Sequence, residues 1–328
     1  MKKIINDPNQ VVSDMLKGVE KANPHLKYCP EYEVITKREK EENKVGLVSG
    51  GGSGHEPSHA GYVGYGMLDS AVSGNVFASP SPDRVLEGIK EADSGKGVLL
   101  IIKNYSGDLM NFEMAKELAE MEDITVETVV VKDDVAVEES TYSTGRRGIA
   151  GTVFVHKIAG AKAVKGGTIK EVKEAAEKTI SNLRSMGMAM SACTIPAVGK
   201  PGFELKENEV EIGMGIHGEP GVQRTEILSA EALANELLSK IFNDADFENS
   251  EVAVMVNGLG ATPLMELYIL NNEVAKILEE KNIKVYRTFV GNYMTALEMS
   301  GCSVTLLKLD DELKELLDTP CKTSGMSV

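Results

Sequence analysis

Residues 45–59 read Val-Gly-Leu-Val-Ser-Gly-Gly-Gly-Ser-Gly-His-Glu-Pro-Ser-His. The apolar run at 45–48 predicts a short buried strand, and the glycines at 50–54 predict a tight loop that ends it. Such a loop can offer successive backbone N–H groups to a phosphate or a hydroxyl group. The chain has no G-x-x-x-x-G-K-[ST] sequence, so this is not a Walker loop. A purely structural turn is the weaker alternative, because five small residues before His55 are more than a turn requires.

The same segment contains the zinc-binding pattern H-E-x-x-H, from His55 to His59. On a helix this pattern places two histidines on one face, with the glutamate as a base. Pro57 lies between the histidines, where it disrupts a helix unless it occupies the first turn. No third ligand follows at a familiar spacing, so we predict no metal site here.

Segments of strand length alternate with segments of helical periodicity along the chain. The predicted helices are 11–23, 81–92, 109–121, 150–164, 168–186, 229–243 and 263–279, with Ser81 as an N-cap before Pro82. The predicted strands are 45–48, 97–102, 124–131, 252–256, 283–289 and 303–308, with a hairpin made of 203–205 and 210–212. This order predicts two α/β domains, residues 1–185 and 186–328, with largely parallel or mixed sheets flanked by helices.

Ligands of open α/β sheets bind beyond the carboxyl ends of strands. The candidate loops are therefore those that follow Val48, Ile102, Ile212 and Val256. In the second of these loops, Asp108 is equally well explained as a helix cap and as a general base.

The loop after Ile212 contains a G-x-G-x-x-G pattern at residues 213–218. A dinucleotide-binding fingerprint needs a helix directly after it, and Pro220 and Gly221 make that helix unlikely. What remains is His217 in a glycine-lined loop. A lone histidine is more often structural than catalytic, but the glycines leave room for a ligand beside this imidazole.

Composition narrows the function classes. The 328 residues carry a formal net charge of −15, and only 5% are aromatic, with no tryptophan. Nonspecific binding to nucleic acid or anionic membranes needs a positive field, so neither is expected as the main activity.

The four cysteines show no C-x-x-C spacing, which is typical of reduced thiols. The N-terminus does not resemble a signal peptide and the apolar runs are too short to cross a bilayer, so we expect a cytoplasmic protein.

Five motifs together resemble the dihydroxyacetone-binding subunits of dihydroxyacetone kinases. They are S-G-G-G-S-G-H-E-P at 49–57, L-L-I-I-K-N-Y-S-G-D at 99–108, D-D-V-A-V at 133–137 followed by G-R-R-G at 145–148, G-I-H-G-E-P-G at 215–221, and N-G-L-G-A-T-P at 257–263. The resemblance covers essentially the whole chain and implies a two-domain α/β homodimer.

The resemblance also implies roles for individual residues. His217 would attack the ketone carbon of dihydroxyacetone and form a hemiaminal. Asp108 would be the general base for the substrate hydroxyl group, and His55 the assisting, hydrogen-bonding histidine. The remaining contacts to the bound triose would come from Gly52, Ser53, Gly54 and Lys103.

By the same resemblance, the phosphoryl donor belongs to other proteins. No cofactor is expected on this chain, since ADP or ATP and Mg²⁺ would be held by a separate nucleotide-holding subunit. A phosphohistidine carrier of the phosphotransferase system would recharge that nucleotide. The product would be dihydroxyacetone phosphate, which places the reaction in glycerol metabolism.

The alternative is a ketone-binding co-activator of a transcriptional regulator without kinase activity. Asp108 and His55 favour the kinase subunit, because a sensor needs capture but not a base.

Overall fold

The computed structural model describes residues 2–137 and 145–328. The chain forms two compact units, each assembled from several segments. The first unit comprises residues 2–131, 153–180 and 313–328, and the second comprises 132–152 and 181–312. Neither unit is one continuous stretch, whereas the division after residue 185 assumed two continuous segments. The division into two domains after residue 185 therefore stays a prediction.

The helices and strands are numbered in chain order. The helices are α1 (Val11–Ala22), α2 (Pro82–Ala92), α3 (Ser106–Glu120), α4 (Thr152–Val164), α5 (Ile169–Ser181), α6 (Ala230–Asp244), α7 (Leu264–Glu280) and α8 (Asp311–Asp318). The strands are β1 (Leu26–Cys29), β2 (Val34–Lys37), β3 (Gly46–Ser53), β4 (Ser70–Val76), β5 (Val98–Lys103), β6 (Val126–Val131), β7 (Leu183–Ala189), β8 (Glu209–Ile212), β9 (Gln223–Glu226), β10 (Glu251–Gly258), β11 (Lys284–Gly291) and β12 (Gly301–Leu309). Among the described residues, no helix has both the length and the apolar character needed to cross a membrane.

The first unit is built on a sheet with the strand order β1-β2-β4-β3-β5-β6. The neighbours from β4 to β6 are parallel, and β1 and β2 add two antiparallel pairs at one edge. Val48 and Leu100 on the central strands pack with Ile89 of α2 and Phe112 of α3 in a buried core. The predicted strands β3, β5 and β6 and their helices are confirmed. We missed β1, β2 and β4, which are short or rich in small polar residues.

The glycine-rich segment differs from its prediction, because residues 50–53 continue β3 and do not form a loop. The reason is close packing of backbones. A Cβ on Gly50 would lie 2.3 Å from the carbonyl oxygen of Val72 on β4. The glycines therefore let two parallel strands approach each other. The predicted N-cap of α2 is in place, but the Ser81 side chain accepts no hydrogen bond from the helix backbone.

The second unit has the strand order β11-β10-β12-β7-β8-β9. Only β10 and β11 pair in parallel among these neighbours, and the other pairs are antiparallel. The expectation of largely parallel or mixed sheets flanked by helices is confirmed, and the sheet of this unit is a mixed one. The helix predicted to reach residue 186 ends at Ser181, because β7 begins two residues later. The predicted hairpin is also wrong, since β8 pairs with β9 and residues 203–205 form no strand.

Gly160 in α4 provides a test of close packing in the first unit. A Cβ at this position would lie 2.3 Å from the backbone oxygen of Gly66. We expect Gly160→Ala to lower the free energy of unfolding by about 1–3 kcal/mol, the usual cost of overpacking. Gly18→Ala on the exposed side of α1 is the control, since its Cβ meets nothing within 4 Å. It should raise stability by about 0.5–1 kcal/mol. Chemical denaturation followed by circular dichroism measures both, and equal stabilities would contradict the packing argument.

Candidate functional site

The strongest cluster of polar groups in the first unit lies where the parallel strands β3 and β5 end. Lys103 is the last residue of β5 and its side chain is fully buried. Its Nζ donates a hydrogen bond to the Gly50 carbonyl oxygen at 3.0 Å and lies 2.8 Å from His59 Nε2. Burial lowers the pKa of Lys103, while the charge of Asp108 opposes that shift.

The side chains of Lys103 and Asp108 both lie close to Gly51. Asp108 is buried in the first turn of α3, whose N-cap is Tyr105. A Cβ on Gly51 would lie 2.9 Å from Lys103 Nζ and 3.2 Å from Asp108 Oδ2, and the φ of Gly51 is +141°. Only glycine therefore fits beside the ammonium group and the carboxylate. Asp108 is not the cap of α3, because it is the third residue of the helix, where its carboxylate interacts favourably with the helix dipole. The general-base explanation stays a prediction.

His59 and His156 form a buried pair behind Lys103. His59 Nδ1 lies 3.0 Å from His156 Nε2 and 3.3 Å from Ser49 Oγ. The Ser49 hydroxyl donates to the Ile101 carbonyl oxygen at 2.7 Å, so Nδ1 of His59 is the donor toward both neighbours and Nε2 accepts from Lys103. Burial, then the charge of Lys103, holds the pKa of His59 well below its usual value. The same causes lower the pKa of His156 to about 3.

Sequence reasoning considered His59 only as half of a zinc pair and did not consider His156. The residues from 54 to 59 form turns, so His55 and His59 do not share a helical face. His55 is fully buried and stacks on the Phe77 ring with 5.2 Å between centroids. Among the described residues, the group whose geometry could hold a metal ion is Cys29 with Glu87 and Glu91, which includes none of the predicted site residues.

A cavity of about 130 Å³ lies beside the end of β3. Gly52 and Ser53 line it, together with His59 and residues of α1. Lys103, Asp108, Gly54 and His55 are not among its lining residues. The Ser53 hydroxyl donates to the Gly74 carbonyl oxygen at 2.8 Å, so its proton is already used within the fold.

His217 belongs to the second unit, in the loop that follows β8. Its Nδ1 lies 2.8 Å from Glu219 Oε1, and its backbone N–H donates to Glu219 Oε2 at 2.9 Å. The His217 side chain is 18% exposed. Burial alone would raise the pKa of Glu219, but the hydrogen bond and charge of His217 and two backbone N–H groups outweigh it, so that pKa is lowered. Sequence reasoning quoted Glu219 within a motif without assigning it a role.

Arg147 anchors the start of the same loop. Its Nη2 donates to the Gly213 carbonyl oxygen at 2.8 Å, and its Nε donates to Asp134 Oδ2 at 2.9 Å. Burial raises the pKa of Asp134 to about 6, although the charge of Arg147 opposes the shift. Next to this pair, a Cβ on Gly215 would lie 2.6 Å from Arg147 Nη1. The motifs at 133–137 and 145–148 therefore shape the His217 loop.

These features define the class of protein: an α/β chain with two mixed sheets, a buried lysine at the end of one sheet and a histidine–carboxylate pair in the other unit. The model of the Dak1 domain family matches residues 17–325, and the chain belongs to that family. This confirms the resemblance seen in the sequence.

Similar proteins fall into two groups. The chain is 54% identical over 314 residues to the dihydroxyacetone-binding subunit of PTS-dependent dihydroxyacetone kinase 1 of Listeria innocua, covering 95% of both chains. It is 40% identical over 312 residues to a DhaKLM operon coactivator of Lactococcus lactis. The structure matches the crystal structure of the dihydroxyacetone kinase of C. freundii with a TM-score of 0.92 and 36% identity, covering 100% of this chain and 61% of that one. A dihydroxyacetone kinase operon co-activator matches with a TM-score of 0.90 and 38% identity, covering 98% of each chain.

The low pKa of His156 gives a pH test. An unfolded histidine takes up a proton near pH 6.5, whereas folded His156 takes one up only near pH 3. The contribution of neutral His156 to the free energy of unfolding is therefore lost as the pH falls from 6.5 toward 3, by about 1.4 kcal/mol for each pH unit. We expect the stability difference between the wild type and His156→Gln at pH 8 to shrink by that amount per unit below pH 6.5. Denaturation series at several pH values measure it, and a constant difference would contradict the buried neutral imidazole.

Proposed function

We propose that this chain is the dihydroxyacetone-binding subunit of a dihydroxyacetone kinase and that it captures the ketone covalently on His217. The observation that carries the proposal is the near full-length match, at 54% identity, to a subunit of that name. The glycine-lined loop that presents His217 beside a carboxylate supports the role of this residue.

Covalent capture explains how a ketone is selected. A neutral imidazole is a nucleophile at neutral pH, and the carbonyl carbon of dihydroxyacetone is an electrophile. Glycerol offers the same terminal hydroxyl groups but has no electrophilic carbon, so hydrogen bonds alone would distinguish the two poorly. The hemiaminal bond also fixes the terminal hydroxyl group and lowers the entropic cost of phosphoryl transfer.

Proton removal during that transfer is assigned to Asp108. An alkyl hydroxyl group has a very high pKa, so its proton must leave as the phosphoryl group arrives. The buried carboxylate of Asp108 and the Lys103 ammonium group both lie close to Gly51, which lines the cavity beside β3, and this supports a site for a polar ligand there. His55 is the assisting hydrogen-bonding histidine, and the backbone of residues 52–54 supplies further contacts to the triose.

The phosphoryl donor in this proposal is a nucleotide held with Mg²⁺ by a separate subunit, recharged by a phosphohistidine carrier of the phosphotransferase system. The relative from Listeria innocua is itself named PTS-dependent and is covered over 95% of its length. The C. freundii kinase, in contrast, has a large part that this chain does not match. This chain itself would hold no cofactor and would act as a cytoplasmic homodimer, and its cysteines, none of which is in a disulfide, are consistent with a reducing compartment.

A co-activator of transcription is the second candidate, because one such protein matches over 98% of both chains with a TM-score of 0.90. The kinase subunit is favoured by the higher identity to a kinase subunit, 54% against 40%. The presence of Asp108 and His55 favours it as well, since capture alone needs no base. Turnover in the presence of a nucleotide-holding subunit separates the two candidates.

His217→Ala tests the nucleophile. Without the imidazole no hemiaminal forms, so the ketone carbon of ¹³C-labelled dihydroxyacetone should keep its carbonyl resonance when mixed with the variant. The wild type should convert that resonance to the resonance of a tetrahedral carbon. His25→Ala, which removes an exposed imidazole of the first unit, is the control. An unchanged affinity of His217→Ala for dihydroxyacetone would refute the covalent role.

Asp108→Asn tests the base. The amide keeps the size of the carboxylate but accepts a proton poorly, so binding should persist while kcat falls by about 10²–10⁴. The assay is phosphoryl transfer with the nucleotide-holding subunit and its phosphoryl donor. Asp123→Asn at an exposed left-handed position, which asparagine tolerates, is the matched control. Near-normal turnover of Asp108→Asn would remove this residue from the role.

A further inference from the structure

The carboxylate of Glu219 makes two contacts with one residue, His217. Oε2 accepts the backbone N–H at 2.9 Å and Oε1 lies 2.8 Å from Nδ1 of the ring. We propose that Glu219 is a positioning residue for the nucleophile: it holds the proton of His217 on Nδ1, leaves the lone pair on Nε2, and balances the charge that the ring gains on capture. This inference rests on the proposed covalent role of His217.

The geometry fixes the tautomer. An ionised carboxylate has no proton to donate, so the ring nitrogen that faces Oε1 must carry the hydrogen. In a neutral imidazole the other nitrogen, Nε2, then has the lone pair. The Glu219 carboxylate is held in this orientation, because its second oxygen, Oε2, accepts the backbone N–H of His217.

The local structure preserves this arrangement. A Cβ on Gly215 would lie 2.0 Å from Glu219 Oε2, so the glycine makes room for the carboxylate. The Arg147 guanidinium group lies on the same side of Gly215, with Nη1 2.6 Å from the same Cβ position, and it is engaged with Asp134 and with the Gly213 carbonyl group. Glu211 pairs with Arg224 and accepts the N–H of Gly221. These charged groups of the loop thus have their own partners, and Glu219 contacts His217.

The bonds, protons and charges of the capture step balance. The Nε2 lone pair forms a bond to the carbonyl carbon, and the π electrons of the C=O bond move to oxygen. The resulting alkoxide takes one proton from solvent. The ring retains its Nδ1 proton and becomes a cation, so capture takes up one proton overall. A carboxylate at hydrogen-bond distance stabilises that cation more than it stabilises the neutral ring.

Glu219→Gln tests both parts of the proposal. The side chain keeps its size but has one acceptor where the carboxylate has two, so it cannot accept from both the backbone N–H and Nδ1. If its amide group donates to Nδ1, the proton moves to Nε2 and the lone pair is lost from the attacking nitrogen. We expect the affinity for dihydroxyacetone to fall about 10- to 100-fold, the scale of one charge-assisted hydrogen bond. Proton uptake, measured by calorimetry in buffers of different ionisation enthalpy, should fall from about one per site toward zero.

Glu211→Gln is the matched control. It alters a carboxylate that secures the far end of the same loop but does not contact His217. Its affinity and proton uptake should stay within about twofold of the wild type. Equal losses in both variants, with lower melting temperatures, would mean that Glu219 only stabilises the loop and would overturn the proposal.

Further outcomes distinguish a failure of the Glu219 proposal from a failure of the covalent role of His217. If His217→Ala loses the tetrahedral carbon resonance and Glu219→Gln captures and takes up protons like the wild type, the covalent function stands and the role of Glu219 is refuted. If His217→Ala binds like the wild type, the covalent function fails and the role of Glu219 fails with it. Loss of proton uptake in Glu219→Gln, but not in Glu211→Gln, supports the proposal.

Discussion

The burial of the Lys103 ammonium group at the end of β5 is the constraint on which the first unit's site depends. A buried cation is costly unless its N–H groups find acceptors. Here the acceptors are the Gly50 carbonyl oxygen and a ring nitrogen of His59. The glycine at position 51 follows from this, since a Cβ there would lie 2.9 Å from Lys103 Nζ. The neutrality of His59 follows too, because a protonated ring has no lone pair to offer to the ammonium group.

In the second unit a carboxylate contacts His217, whereas in the first unit an ammonium group contacts His59. The loop of the second unit carries the histidine of the proposed capture step, and the Glu219 carboxylate, 2.8 Å from Nδ1, fixes the orientation of that ring. Arg147 fixes the beginning of the loop through the Gly213 carbonyl oxygen, and it is itself compensated by Asp134. Glycine at 215 admits the Glu219 carboxylate and the Arg147 guanidinium group side by side. Charged side chains therefore help to specify the conformation of this glycine-rich loop.

The sequence predicted the parts of this structure that local patterns encode. Apolar runs identified β3 and β5, and the proline at position 82 marked the start of α2. The strands β1, β2 and β4 were missed, because their pairing depends on distant segments and their composition is weakly apolar. The glycines at 50–52 looked like a loop since nothing in the sequence indicates that Val72 lies against them. Motif resemblance singled out His217 and Asp108, whereas His59, His156 and Glu219 became visible only through distances, since hydrogen-bond partners and tautomers have no sequence signature.

The division of the chain bears on its chemistry. The proposed capture residues, His217 and Glu219, belong to the second unit, while Asp108 and Lys103 belong to the first. Capture of a ketone needs a nucleophile and a charge to balance the product, and the proposals assign both to the second unit's own loop. Phosphoryl transfer needs in addition a base and an ordered hydroxyl group, which the proposed function assigns to the first unit. A Dak1 chain that loses the base would on this view still bind its ketone. Relatives named as kinase subunits and relatives named as co-activators both match this chain over nearly its whole length.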